Sequence, residues 1–175
     1  MTDKPRVLIF TGEGKGKTTA SLGMALRASG HGMKVFILQF IKSDASVGEV
    51  AALAHSANIT LRQAGLGFLP QPSDPRWASH QSAAQAALEL ARHALAAGDC
   101  QVVILDEICL AVAKGLLQEA DIQAMLDLAP AGSVVVLTGR GATPGLIAMA
   151  DTVTEMRCVK HGFDAGLPAQ KGVEM

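Results

Sequence analysis

Short apolar runs alternate with amphipathic stretches along the whole chain. Residues 6–10, 34–40, 59–63, 102–105, 134–137 and 152–158 are rich in Val, Ile, Leu, Phe and Thr and are bounded by Gly, Pro or charged residues, the signature of strands. Between them, segments 17–29, 47–55, 77–97, 118–129 and 144–150 predict helices. In the longest of these, Ala84, Leu88, Ala91 and Leu95 recur on one face and predict its buried stripe. Leu22, Ala25 and Leu26 are the expected buried face of the first helix, which Gly30 and Gly32 end; Pro130 stops the fourth. Continuous apolar strands separated by helices predict a mostly parallel sheet with helices on both faces, an α/β fold. No repeat or linker interrupts the pattern, so residues 1–175 are expected to form a single domain. Two stretches break the alternation. Segment 65–75 (GLGFLPQPSDP) is dense in Gly and Pro, and 161–175 is an irregular tail.

The chemistry gathers where strands hand over to helices. Residues 11–19 read TGEGKGKTT, between the first strand and the first helix. Gly12, Gly14 and Gly16 let the main chain approach a phosphate closely, and successive N–H groups together with the helix N-terminus attract the anion. Lys17 supplies a point charge and the Thr18 hydroxyl a ligand for Mg²⁺. The usual pattern opens with Gly where this chain has Thr11, and it gains Glu13 and an extra cation at Lys15. A glycine turn that binds nothing is the bland alternative, against which strand, GKT and helix all agree.

The fourth strand ends in Asp106-Glu107, the place and type of residue that holds Mg²⁺ beside a phosphate loop; a helix N-cap by Asp106 is the rival. Thr138-Gly139-Arg140 closes the fifth strand, where ligands bind in open α/β sheets. Arg140 is a candidate phosphate or carboxylate contact, or a surface arginine in a turn. Gln39, Lys42 and Ser43 follow the second strand at the same edge, as ligand contacts or loop caps. Phe68 and Trp77, in a chain with no Tyr and a single Trp, are candidates for an apolar wall against a large flat ligand, with core burial as the alternative. The tail carries Lys160, His161, Asp164, Gln170, Lys171 and Glu174 and suits a segment folded over a site.

Composition narrows the partners. Fifteen basic and sixteen acidic residues give a formal net charge of −1, which offers no bulk reason to expect nucleic acid or an anionic membrane surface. No apolar stretch approaches the ~20 residues that span a bilayer. The first residues run straight into a strand, unlike a secretory signal. Cys100, Cys109 and Cys158 make neither a disulfide framework nor a zinc site, so a cytoplasmic location is expected. No Ser–His–Asp or Cys–His arrangement is suggested.

Taken together, GEGKGKTTASLGMALRASGHG (12–32), VFILQFIKS (35–43), VVILDEI (102–108), VVVLTGR (134–140) and ADTVTEMRCVKHGFDAGLPAQKGVEM (150–175) closely resemble the P-loop ATP:corrinoid adenosyltransferases. The final stretch is the most specific, because a phosphate loop alone is shared by many proteins. The resemblance implies a P-loop NTPase fold of the RecA-like kind, typically dimeric. It implies transfer of adenosyl from ATP to a corrinoid reduced to Co(I), with triphosphate released from a loop that binds it in reversed orientation. It further implies that residues 12–19, including Gly12, Glu13, Gly14, Lys15, Gly16, Lys17, Thr18 and Thr19, cradle phosphates. Thr18 and Glu107 would sit at Mg²⁺ or Mn²⁺ with Asp106 near, and Phe68 would lie against the corrin. A low-potential flavoprotein is the implied electron donor, and a corrinoid held without its lower axial ligand the implied substrate state.

The chain departs from the family in places. Many members carry F-T-W where this chain has Phe68-Leu69-Pro70, so Trp77 stands after a Pro-rich insertion. Gly162 replaces a usual Pro and Met175 a usual aromatic. Many members have an N-terminal extension over the site, so the corrinoid cover is expected from elsewhere or from a partner subunit. An ordinary P-loop kinase or ATPase, or a non-catalytic nucleotide- or corrinoid-binding regulator, are the other function classes. The sequence leaves the natural corrinoid open among cobalamin, cobinamide and an early diamide.

Overall fold

The computed structural model describes residues 4–173. Glu174 and Met175 of the expected tail lie outside the described residues. Six strands form one sheet: β1 (Arg6–Thr11), β2 (Val35–Gln39), β3 (Ile59–Gln63), β4 (Val102–Asp106), β5 (Val134–Thr138) and β6 (Thr152–Glu155), in the order β3-β2-β4-β5-β1-β6. Every pairing is parallel, so each connection must cross over the sheet. The crossovers carry helices α1 (Lys17–Gly30), α2 (Gly48–Leu53), α3 (Trp77–Ala97), α4 (Ile108–Ala113), α5 (Glu119–Leu126) and α6 (Pro144–Met149). No helix among the described residues is long and apolar enough to cross a membrane.

The strand period of two divides the core into two layers. Val35, Ile37, Val102, Ile104 and Val136 pack with Ala25 and Ala28 of α1 on one face. Phe36, Leu38, Val103, Leu105, Val135 and Leu137 pack on the other with Ala84, Leu88, Ala91 and Leu95 of α3, with α4 and with Ile122 and Met125 of α5. The predicted stripe of α3 is therefore the observed one. That of α1 is observed in part: Ala25 is buried and Leu22 packs against the core, but Leu26 is 69% exposed, and the buried positions are Lys17, Ser21, Ala25 and Ala28. Beyond Lys17, these buried positions are all small.

Three further elements differ from expectation. The run Ile108–Ala113 is a helix that sequence reading does not place; Ile108, Cys109, Ala111 and Val112 are all buried, so no amphipathic period marks it. The last strand ends at Glu155 rather than residue 158, because the chain there leaves the sheet to run along the glycine loop. The tail is interrupted by a 3₁₀ turn, Gly162–Ala165, whose first N–H groups include Phe163 donating to His161 Nδ1.

Candidate functional site

The carboxyl ends of β1, β2, β4 and β5 deliver residues 11–19, Lys42, Asp106-Glu107 and Arg140 to one edge of the sheet. Of these, residues 14–19, Lys42, Glu107 and Arg140 line a cleft of about 490 Å³ together with Leu22, Gly48, Glu49, Gly172 and Val173.

Lys17 lies across the glycine loop. Its ammonium donates to the carbonyls of Gly12 and Gly14, 2.7 Å each, and only 6% of the residue is exposed. Burial lowers its pKa from the ordinary lysine value, Glu107 opposes, and Arg140 adds to the lowering. The loop glycines answer a second constraint. A Cβ on Gly12, at φ +93°, would meet the Met156 carbonyl at 2.5 Å, and one on Gly14 would meet Arg157 and Met156 at 2.7 Å. Gly14 N–H donates to Met156 O (2.6 Å) and Met156 N–H to Thr11 O (2.8 Å). The glycines thus let the loop press against the chain leaving β6.

Asp106 is fully buried. Its Oδ1 accepts from the Thr18 hydroxyl (2.8 Å) and the Thr138 hydroxyl (2.7 Å), and its Oδ2 from Gln39 (3.2 Å), with Lys42 Nζ 3.7 Å away. The helix N-cap role considered for Asp106 falls instead to the neighbouring position, Glu107, whose side chain makes no capping bond. Gln39 is buried too, and turns to Asp106, Glu49 and Gln63 rather than to the cleft.

Glu107 is the one non-glycine residue with positive φ among those described, at +65°. Its N–H donates to Thr138 Oγ1, which holds this strained turn at the strand end. Its Oε2 is buried without a hydrogen-bond partner among the described residues. Burial, reinforced by the Asp106 charge, raises its pKa above the usual carboxylate value, against Lys17, Lys42 and Arg140. Between the ordinary carboxylate pKa and the raised one, the unfolded chain ionises while the folded one keeps its proton, so folding stability falls as pH rises. Glu107→Gln is therefore expected to raise the melting temperature of the ligand-free protein at pH 7, with the gain shrinking toward zero below pH ~4. Thermal melts of both proteins across that range check it.

Phe68 is fully exposed. With Leu69, Ile41, Leu110, Ala113 and Lys114 it borders a second cleft of about 710 Å³. Trp77 is not part of this wall; it packs against the α3-side core, the alternative weighed for it. Arg140 lines both clefts and pairs with Glu13 at 3.2 Å. Lys42 and Glu107 also line both. Lys15, exposed, borders the first cleft and a tail pocket formed with Arg157, Lys160, His161 and Phe163.

Several of these residues escape sequence reading. Leu110, Ala113 and Lys114 belong to α4, which carries no amphipathic period, or follow it directly. Glu49 carries no motif. Thr138 is marked only by its place at a strand end. Gly172 and Val173 line the cleft from the tail, which sequence reading marks as a segment suited to fold over a site without naming these two residues.

The model of the family "ATP:corrinoid adenosyltransferase BtuR/CobO/CobP" matches residues 3–175. A "Corrinoid adenosyltransferase" of Pseudomonas aeruginosa is 44% identical over 96% of this chain and 82% of its own length. One from Escherichia coli K12 is 38% identical over 96% and 84%. The "Corrinoid adenosyltransferase CobA" of Salmonella typhimurium is 37% identical over the same shares. With that match running from before the first strand through the tail, the chain belongs to the ATP:corrinoid adenosyltransferase family.

Proposed function

We propose that the protein transfers the 5′-deoxyadenosyl group of ATP to the Co(I) centre of a reduced corrinoid and releases triphosphate, in adenosylcobalamin synthesis or salvage. The observation that carries this reading is the shared wall. A phosphate cleft and a larger, partly apolar cleft meet at Lys42, Glu107 and Arg140. Polyphosphate suits the first, with loop amides, Lys17, Lys15 and the start of α1 around it. A flat apolar macrocycle suits the second, against Phe68, Leu69 and Leu110. A carbon passing between the two ligands would do so at their boundary.

The residues present fit a divalent cation. Thr18, Asp106 and the orphaned Glu107 oxygen offer hard oxygen donors beside the phosphate loop, and hard cations there take few protein ligands because phosphates and water complete the shell. Thr18 and Glu107 would hold Mg²⁺ or Mn²⁺, and Asp106 would orient Thr18. The ion, when bound, neutralises polyphosphate charge. The chain's own residues do the rest. Lys17 and the loop hold the triphosphate as leaving group, and Phe68 and its neighbours exclude water from the reacting face. No general base is required, since Co(I) is itself the nucleophile. A low-potential flavoprotein reductant and a homodimer accompany this reading from the family resemblance, and a cytoplasmic setting from the cysteine pattern.

Two results test it. The phosphate product distinguishes adenosyl transfer, which gives triphosphate, from kinase or ATPase chemistry, which gives ADP or orthophosphate. Phe68→Ala is expected to raise the KM for the corrinoid about tenfold while leaving ATP affinity within about twofold, because the ring is exposed and its loss removes apolar contact with little effect on folding. Steady-state kinetics with each substrate varied in turn check this; an effect on ATP alone contradicts the assignment of the second cleft.

A further inference from the structure

Lys42 lies outside the phosphate-loop pattern, and nothing in that pattern explains it. It follows β2, is about one-third exposed, and places its ammonium 2.8 Å from Glu49 Oε1 and 3.7 Å from Asp106 Oδ2. Glu49 is itself half-buried and also meets Gln39. The long, flexible lysine stem is therefore braced in one place instead of sweeping through solvent. That place is the boundary of the two clefts.

Three residues line both clefts, and they differ in charge and freedom. Glu107 is a carboxyl group and repels a polyanion. Arg140 is more than half exposed and is paired with Glu13. Lys42 is the braced cation among them. In adenosyl transfer, the electron pair of Co(I) becomes the cobalt–carbon bond. The C5′–O bond breaks, and its pair leaves on the oxygen of the departing triphosphate; no proton moves. Negative charge thus grows on that oxygen at the boundary, and only interactions that strengthen as it grows accelerate the step.

On the adenosyl-transfer reading above, we propose that Lys42 is the catalytic cation that meets the leaving oxygen of the triphosphate at the junction of the clefts. Glu49 positions it. The rival is purely structural: Lys42 neutralises Glu49 and Asp106 and never touches substrate.

The test uses the whole protein with Mg-ATP and chemically reduced cob(I)alamin without oxygen. Lys42→Ala is expected to lower kcat about 100-fold or more, as loss of one donor to a developing oxyanion does. The ATP KM should change less than about threefold, so kcat and kcat/KM fall together, the mark of an interaction made in the transition state. Lys42→Arg, which keeps the charge, should recover at least about tenfold of that loss, and Lys42→Met, which keeps the apolar stem, should not. Glu49→Gln loosens the brace but leaves the ammonium, and should cost kcat clearly less than Lys42→Ala.

The proposal is overturned if Lys42→Ala keeps kcat and raises only KM, if Lys42→Met is as active as wild type, or if Glu49→Gln loses as much as Lys42→Ala. Wild-type protein that forms no cobalt–carbon bond overturns the adenosyl-transfer reading itself. Active wild type with an unimpaired Lys42→Ala variant overturns this assignment alone.

Discussion

Lys17→Ala is expected to abolish turnover, with triphosphate release falling at least about 100-fold and ATP affinity weakening with it. The ammonium bridges the carbonyls of Gly12 and Gly14 at 2.7 Å each, so it holds the loop's curvature as well as supplying charge. Alanine removes both, and leaves the Gly12 and Gly14 carbonyls without the cation they share. Lys17→Arg is expected to rescue poorly: a planar guanidinium is too wide for a 6%-exposed position between two carbonyls. Calorimetric titration with ATP separates binding from turnover. Retained turnover in Lys17→Ala would contradict the placement of the phosphates in this loop.

Asp106→Ala is expected to damage both stability and activity. The carboxylate is fully buried and collects the hydroxyls of Thr18 and Thr138, the amide of Gln39 and the nearby Lys42 charge. Breaking a buried charge network by removing one partner costs about 3–5 kcal/mol, because the remaining groups stay desolvated and unpaired. The variant should show a correspondingly lower denaturation midpoint in urea. Asp106→Asn is the finer probe. It fills the same volume and keeps an acceptor for the two hydroxyls, but turns an NH₂ toward Gln39 and Lys42. It is expected to fold and yet lose at least about tenfold in turnover, since Lys42 loses its anchoring charge and meets an NH₂ donor in its place. An Asp106→Asn variant with full activity would mean that the network serves folding alone.

The two variants also show what a linear reading of this chain can and cannot reach. The loop from Thr11 to Thr19 is legible because its chemistry is local: three glycines, two lysines and three hydroxyls within nine residues, at a strand-to-helix junction. The parallel sheet is legible because runs such as Val35–Gln39 and Val134–Thr138 are apolar on both faces. The Asp106 network is not local. Thr138 reaches Asp106 only because β5 lies beside β4, and Gln39 only because β2 lies on β4's other side. The reason for Gly12 and Gly14 is equally distant: β6 pairs with β1 and brings Met156 and Arg157 against the loop. Leu26 misleads because the apolar period of α1 does not show that the helix turns Ala25 and Ala28 to the sheet and Leu26 to solvent. Trp77 misleads because an aromatic near a Gly- and Pro-rich loop suggests a ligand wall, whereas it starts α3 and packs into the core. Arg140 is visible as a strand-end arginine, but its pairing with Glu13 depends on two loops meeting in space.

The most direct test of adenosyl transfer is anaerobic. The protein is mixed with Mg-ATP and chemically reduced cob(I)alamin, with cobinamide and the diamide corrinoid in parallel, while the visible spectrum is followed and the phosphate product assayed. A light-sensitive adenosylcorrinoid spectrum, appearing in step with one triphosphate per cobalt alkylated, is the predicted result. Orthophosphate or ADP release with all three corrinoids left unalkylated would contradict it.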